Sequence, residues 1–404
     1  MRRLRTTSSR RLLTILACAC VLATTAAIAQ AALTGSGPVP APKALAAAIR
    51  DALGAPAPDG VSARISFTNN LLPGGSLPGA SSALTSGADG RLWLAKDGRF
   101  RLELQSDSGD VQLVGDDKQV TVFDSSSNTV YEAALPAAPA GAEQPEPAHE
   151  NPTVAKIQQA LDRLSKMWSV SGAHPTSIAG QPAYSVRIAP KDDGGLLGAA
   201  KLAWDSVSGV PLRAAVYAQG QAGPVLELEA TDISYGAVSD ADVAVRPAPG
   251  AKVVELNPKQ PASHDAARAS AGAQHDSDVS GPGAVAAQLA FALAAPDKLA
   301  GLPRKDVRLV DVDGHKGALV TYGKGLGAIA VFEHKAGAQA PADAKPASRE
   351  RDRALPQINI DGTSGTEIAT ALGTIVTFER DGVSYVVAGS VPPMAAENAA
   401  RGLR

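Results

Sequence analysis

The sequence predicts an α+β protein whose main part is one large curved antiparallel sheet. Strand-like segments follow one another from Gly90 to Glu132, with only short turns between them. Within this run Phe100, Leu102 and Leu104 alternate with polar residues, and a period of two places one face of a strand against a core. A helix with one apolar side, predicted from Val154 to Trp168, can cover such a sheet.

The elements ahead of this meander are a short helix, a strand and a long loop. Leu45, Ile49 and Leu53 recur every four residues, which predicts a helix over residues 42–53. Residues 61–68 alternate and predict a strand, whereas residues 69–89 are rich in Gly, Pro and Ser and predict a loop. The leucines of this loop have two interpretations, a flap over an apolar site or a surface insertion that folds back on the sheet.

Turn signals and further strands complete the first part of the chain. Asp97-Gly98 lies between two alternating segments and predicts a hairpin. More strands are predicted at residues 183–189, 200–205, 212–219 and 225–235. The amphipathic helix is expected to pack across the apolar face of the sheet formed by all these strands.

Residues 1–31 are predicted to be an export signal. Several arginines are followed by the apolar stretch Leu12 to Ile28, and Ala29-Gln30-Ala31 is an Ala-x-Ala cleavage site. A twin-arginine signal, lipidation at Cys18 and an uncleaved membrane anchor remain alternatives. Both cysteines of the chain lie in this segment, so a cleaved chain has no cysteine for a disulfide or thiolate chemistry.

The chain has 404 residues, which is too long for a single core and predicts two domains. We assign the first to residues 42–256, a polar Ala/Ser/His/Asp-rich linker to residues 257–283, and a smaller α+β domain to residues 284–404. In the smaller domain we predict helices from Val285 to Leu293 and from Thr366 to Leu372, a hairpin at Asp381-Gly382 and a terminal helix after Pro392.

No catalytic or metal-binding pattern stands out from the sequence. The net charge of −2 excludes the basic footprint of a nucleic-acid-binding protein. His264-Asp265 and His275-Asp276 fall in the predicted linker, where solvated side chains are the ordinary interpretation. The glycine-rich segment Gly323 to Gly327 lacks phosphate-loop spacing and predicts a turn. The sequence therefore predicts a protein that is not an enzyme and has no cofactor and no metal site.

The order of short motifs resembles the LolA superfamily, which includes RseB and exported actinobacterial proteins with an added C-terminal domain. The motifs are Gly90-Arg-Leu-Trp93, Asp97-Gly-Arg-Phe-Arg101 and Asn128-Thr-Val-Tyr131, followed by Leu202-Ala-Trp-Asp205 and Gly209-Val-Pro-Leu-Arg213. The resemblance covers about residues 43 to 256, and no contact residue of RseB can be placed on this chain.

The resemblance implies a fold, a site and a class of partner. The fold would be an unclosed antiparallel β half-barrel with covering helices, whose hollow accepts acyl chains of lipid or of a lipidated protein. The residues expected to line it are Trp93, Phe100, Leu102, Leu104, Val120 and Val122. The expected function is that of an exported, non-enzymatic binding protein of the cell envelope, periplasmic or extracellular. The alternative is an RseB-like regulator that binds a membrane anti-sigma factor.

Overall fold

The computed structural model describes residues 37–72, 83–107, 109–116, 118–135, 152–191, 195–244, 250–256, 279–312, 315–336 and 355–403. The chain divides into two compact units. Of the described residues, those between 37 and 71, between 83 and 191 and between 198 and 256 belong to the first unit, and 72, 195–197 and those between 279 and 403 belong to the second. The predicted export segment with its two cysteines, and His264 and His275, lie outside the described residues.

Thirteen strands form the sheet of the first unit. They are β1 (Gly60–Asn69), β2 (Ala88–Ala95), β3 (Phe100–Gln105), β4 (Val111–Gly115), β5 (Gln119–Asp124), β6 (Thr129–Ala134), β7 (Trp168–Val170), β8 (His174–Ile178), β9 (Gln181–Pro190), β10 (Leu197–Asp205), β11 (Pro211–Ala218), β12 (Leu226–Tyr235) and β13 (Lys252–Leu256).

The sheet of the first unit is open. Its order is β13-β6-β5-β4-β3-β2-β1-β12-β11-β10-β9-β7, with β8 also paired to β9. The meander from β1 to β6 is antiparallel, and β12 returns beside β1, which makes β1 a central strand. β13 is added at the edge, parallel to β6. The fold class predicted from the alternation, α+β with a large unclosed sheet followed by a smaller unit, is confirmed.

Three helices accompany this sheet: α1 (Leu45–Gly54), α2 (Ala83–Ser86) and α3 (Val154–Leu164). α2 lies in the region predicted as a loop and packs against β1 and β3, where Ala83 is fully buried. α3 packs against α1 and β7, and of its apolar stripe only Ile157 is buried. The helix is shorter than predicted because Trp168 begins β7.

The second unit has its own antiparallel sheet, ordered β14-β15-β16-β17-β21-β20-β19-β18. Helix α4 (Pro282–Ala286) precedes it, and helix α5 (Pro393–Gly402) packs on β20 and β21. The strands are β14 (Lys298–Leu299), β15 (Leu302–Val312), β16 (His315–Tyr322), β17 (Ile329–Lys335), β18 (Gln357–Ile360), β19 (Thr363–Thr370), β20 (Gly373–Arg380) and β21 (Val383–Gly389).

Two predicted helices of the second unit are wrong or too long. The segment predicted as a helix at Thr366–Leu372 is strand β19, paired with β18 and β20. Its β-branched residues Thr366, Ile368 and Thr370 alternate along one side, and two flanking strands outweigh a weak local helix preference. The helix predicted to reach Leu293 ends at Ala286. Leu289, Phe291 and Leu293 follow in irregular backbone and pack against the core.

Candidate functional site

One face of the first sheet carries continuous rows of apolar side chains. Directly opposite residues on neighbouring antiparallel strands share a face, so the strand register defines these rows. The first row runs Val61, Leu94, Phe100, Gly115, Val120, Ala133, and the second runs Ala63, Leu92, Leu102, Leu113, Val122, Tyr131. We call the side of the sheet that carries these two rows the apolar face.

Burial differs between the residues of the apolar face. Leu102 and Leu104 are 3% and 1% exposed and belong to the core that includes Ala83 of α2. Phe100, Val120 and Val122 are half-buried, and Leu94 is 37% exposed. The apolar face thus passes from a closed core, under α2, to a patch of partly uncovered side chains near the β2–β3 and β4–β5 turns.

Two glycines let large side chains approach the backbone closely on the apolar face. A Cβ atom on Gly115 would come within 2.6 Å of the Phe100 ring, which therefore covers that position. A Cβ atom on Gly90 would come within 2.0 Å of the Glu103 carbonyl oxygen and 3.1 Å of the Leu104 side chain. The apolar face is lined here by ring and leucine surfaces because the backbone underneath has no side chain.

Five of the six residues predicted to line a site, Phe100, Leu102, Leu104, Val120 and Val122, lie on this one face of the sheet. Trp93 does not join them. It pairs directly with Arg101 on the opposite face, and the Arg101 guanidinium lies over its ring at 5.5 Å from the centroid.

The loop length at Asp97-Gly98 explains the position of Trp93. A two-residue hairpin at this dipeptide would pair Trp93 with Leu102. The observed loop has three residues, with Ala95 opposite Arg99 and Gly98 at φ 91°, so Trp93 faces Arg101 instead. A shift of one residue moves a side chain to the other face of a sheet.

Arg101 fixes the polar side of the sheet under Trp93. Its guanidinium forms an ion pair with Glu103 and donates a hydrogen bond of 3.4 Å to the Ala244 carbonyl oxygen. Residues 237–244, which follow β12, also contact this side through the ion pair of Arg99 with Asp240 at 2.5 Å. The polar face of β2 and β3 is therefore already occupied by the chain itself.

Charged groups at the margin of the apolar face are mostly paired. Asp124 shares the face with Val111, and although burial raises the pKa of its carboxyl, hydrogen bonds from Ser126 and Ser127 hold that pKa below its usual value. Lys96 pairs with Asp59 at 2.6 Å. These groups are satisfied within the protein, so the margin leaves the apolar side chains as the available binding surface.

Among the residues of the apolar face that sequence reasoning did not name are Leu92, Leu94, Leu113 and Tyr131. Their alternation was visible, but their assignment to a face requires the register between strands. Leu94 matters most because it is the most exposed large side chain of the first row.

Cavities lined by described residues also lie away from the apolar face. One of about 320 Å³ lies in the first unit between α1 and Ser206-Val207, lined by Lys43, Arg50 and Asp51. Its charged groups pair with one another through Lys43–Asp51 and Arg50–Asp51 contacts. The second, of about 700 Å³, lies in the second unit and is described below.

The described part of the chain contains no group of three or more His, Cys, Asp or Glu side chains that could hold a metal ion. Within those same ranges no helix has both the length and the apolar character needed to cross a membrane.

No protein-family model matches the sequence. No curated protein matches it either. Among solved structures, the MucA/MucB complex of Pseudomonas aeruginosa matches at 16% identity and a TM-score of 0.40, over 89% of this chain and 98% of the other. The LolA superfamily protein NE2245 from Nitrosomonas europaea matches at 9% identity and a TM-score of 0.22, over 50% of this chain and 98% of the other.

One of these matching structures contains MucB, and the other is a LolA superfamily protein. With identities of 16% or lower and TM-scores of 0.40 or lower, they supply no site residue and no ligand for this chain.

Proposed function

We propose that this protein is an exported, non-enzymatic binding protein of the cell envelope that holds an acyl chain of a lipid or lipoprotein against the apolar face. The observation that carries the proposal is the uncovered part of that face. Leu94, Phe100 and Val120 form a continuous partly exposed row beside a closed core. A contiguous exposed apolar patch of this kind marks a site of interaction.

Acyl chains suit this surface better than polar ligands. Burying apolar area gives roughly 25 cal/mol for each Å², and no hydrogen-bonding group is needed in the ligand where the lining has none. The side chains of the first row offer only hydrocarbon and aromatic surface, and the Phe100 ring covers Gly115. Export would follow from the N-terminal segment, whose cleavage, lipidation or retention as an anchor would decide where the protein is held.

The test uses the chain from residue 32 onward, delipidated and then offered a fluorescent fatty acid. We expect saturable binding, and we expect Leu94→Ser and Val120→Ser to raise Kd by about fivefold or more, because each removes about 1–2 kcal/mol of apolar contact. Val253→Ser is the matched control. Val253 is 57% exposed and pairs with Val130 on the opposite face of the same sheet.

Two results would contradict the proposal. One is an absence of binding across fatty acids and phospholipids together with no lipid retained in native mass spectra of the purified protein. The other is an equal loss of affinity in the Val253→Ser control, since that would assign the binding to general surface hydrophobicity.

A second candidate is an RseB-like regulator that binds the exported part of a membrane anti-sigma factor. The feature that favours it is the second compact unit with its own eight-stranded sheet, which a simple acyl-chain carrier does not need. Pull-down with the full mature chain from solubilised membranes tests it. Recovery of an anti-sigma factor supports the regulator, and recovery of no membrane protein counts against it.

A further inference from the structure

Glu333 is a carboxyl group inside the core of the second unit. On β17, Ile329, Val331 and Glu333 point to the same side, and their exposures are 1%, 0% and 0%. The register places Glu333 opposite Ala318 on β16 and opposite Tyr385 on β21. An ionised carboxylate is costly in such a place unless it is paired and fully hydrogen-bonded.

The hydrogen bonding of Glu333 is incomplete. Its Oε2 accepts a bond of 2.9 Å from the backbone N–H of Ala294, whereas its Oε1 is buried with no partner among the residues described. Burial raises the pKa of this carboxyl to about 7, against the opposing effect of the Ala294 N–H. The group therefore changes charge near neutral pH, far above the pH at which an ordinary glutamate loses its proton.

Ala294 belongs to an irregular segment, Ala290–Pro296, which we call the strap. Phe291, Leu293 and Ala295 of the strap pack against the core that contains Glu333's neighbours Val331 and Tyr385. Besides the bond to Glu333, the strap is tied to β15 by the Arg304 guanidinium, which donates to the Ala295 carbonyl oxygen. These few polar ties hold a segment that has no helix or strand hydrogen bonds of its own.

The cavity of about 700 Å³ lies along the strap. Residues 290–294 line one side, and the β20–β21 turn with Val383 and Tyr385 lines another. Ala294, which binds Glu333, and Tyr385, which lies opposite Glu333, are both part of the lining. The strap thus separates the buried carboxyl from an existing space that water can enter.

Within the described part of the chain, no cation faces Glu333 from the elements packed around it. Tyr322 of β16 and Tyr385 of β21 are the titratable neighbours, and the Tyr322 hydroxyl is also buried with no partner in the described ranges. The strap has no ionisable side chain. The other charged groups nearby are Lys335, Asp361, Arg380 and Asp381 around the cavity, Arg304 paired with Asp297, and Arg401 paired with Glu397 on α5.

We propose that Glu333 is a proton-operated latch: as a neutral acid it keeps the strap closed over the core, and after losing its proton to solvent it draws water inward and releases the strap. A carboxylate needs several hydrogen-bond donors, and the closed arrangement provides one. Lifting the strap lets water from the cavity supply the rest. The opening is therefore driven by solvation of one charge and needs no ligand.

Hydrogen–deuterium exchange of the full mature chain tests the latch. Protection factors of strap amides, corrected for intrinsic exchange, are compared at about pH 5.5 and about pH 8.5. We expect protection of the strap in the wild type to fall by about tenfold or more at the higher pH. Glu333→Gln keeps an uncharged acceptor for the Ala294 N–H. We therefore expect the strap amides of this variant to stay protected from exchange at both pH values.

Glu379→Gln is the matched control because Glu379 lies exposed on the outer side of β20. We expect it to behave as the wild type. Equal protection of the wild-type strap at both values, or an unchanged pH effect in Glu333→Gln, would overturn the latch. If Glu333→Gln does not fold, the wild type alone decides: loosening confined to the strap supports the latch, and uniform loosening of strap and β20–β21 amides refutes it.

Discussion

At the scale of single residues, Asp205 shows how one buried carboxylate organises a turn. It is 1% exposed, its Oδ1 accepts from the backbone N–H of Val207 at 2.7 Å and of Ser208 at 3.0 Å, and its Oδ2 accepts from the Tyr235 hydroxyl at 2.6 Å. Burial, and then this bond to Asp205, raise the pKa of the Tyr235 hydroxyl. The β10–β11 turn and the end of β12 are thereby joined through one side chain.

Asp205→Ala should destabilise the first unit by about 2–4 kcal/mol, because it leaves three donors without their acceptor. Tyr235→Phe removes one of these bonds and should cost only about 1 kcal/mol. Urea unfolding followed by tryptophan fluorescence measures both, since Trp93, Trp168 and Trp204 all belong to this unit. Equal losses in the two variants would show that the carboxylate does not hold the turn.

The contrast between Leu104 and Leu94 separates stability from binding on the same face of the sheet. Leu104 is 1% exposed and Leu94 is 37% exposed. Leu104→Ala should lower the free energy of unfolding by about 2–5 kcal/mol, and Leu94→Ala by less than about 1 kcal/mol. Chemical denaturation checks both values. A large loss for Leu94→Ala would mean that its side chain is part of the core and not of a binding surface.

At the scale of elements, three Asp-Gly dipeptides within the described ranges form two kinds of hairpin turn. Asp361-Gly362 and Asp381-Gly382 have positive φ at both residues, 51° and 89° in the first and 51° and 75° in the second, as type I′ turns require. At Asp97-Gly98 only the glycine has positive φ, and the loop has three residues. The same dipeptide thus gives two registers, and the flanking strands decide between them.

Gly382→Ala tests the conformational role of this glycine without steric interference, because a Cβ atom there would meet nothing within 4 Å. We expect a loss of about 1–2 kcal/mol in the stability of the second unit, since an alanine disfavours the left-handed region. Asp381→Asn should leave stability nearly unchanged, as asparagine tolerates that conformation. Differential scanning calorimetry measures both, and an unaffected Gly382→Ala would exclude the type I′ requirement.

At the scale of the whole molecule, the two units should respond differently to pH. The pKa of Glu333 in the folded chain, about 7, lies above the ordinary value of 4.5. Between these two pKa values the Glu333 carboxyl is ionised in the unfolded chain and protonated in the folded chain. The stability of the second unit therefore falls as pH rises. At pH values below 4.5 or above about 7, Glu333 contributes no pH dependence to the stability.

We therefore expect the second unit to lose about 1.4 kcal/mol of stability for each pH unit between about pH 4.5 and about pH 7, with a plateau above. Glu333→Gln should remove this slope. Calorimetry gives the slope, and tryptophan fluorescence reports the first unit separately. A wild-type slope of zero, or a slope retained in Glu333→Gln, would contradict the assignment of the buried carboxyl.

The local pattern of the sequence determined the strands of the meander, the apolar character of their alternate residues and the Asp-Gly hairpins, because these depend on neighbours within a few positions. The resemblance to the LolA superfamily named six lining residues. Five of them, Phe100, Leu102, Leu104, Val120 and Val122, lie on one face, and the sixth, Trp93, lies on the other. The predicted hairpin at Asp381-Gly382 is confirmed, and it too depends on residues that are neighbours in the sequence.

Three other features were decided only by the tertiary structure. A three-residue loop turned Trp93 away from the leucines, two partner strands made Thr366–Leu372 extended, and the strap buried Glu333 in an apolar core. Each outcome depends on contacts between segments far apart in the chain. Alternation assigns a side chain to one of two faces of its own strand, and register and burial between distant strands determine which face becomes core, surface or site.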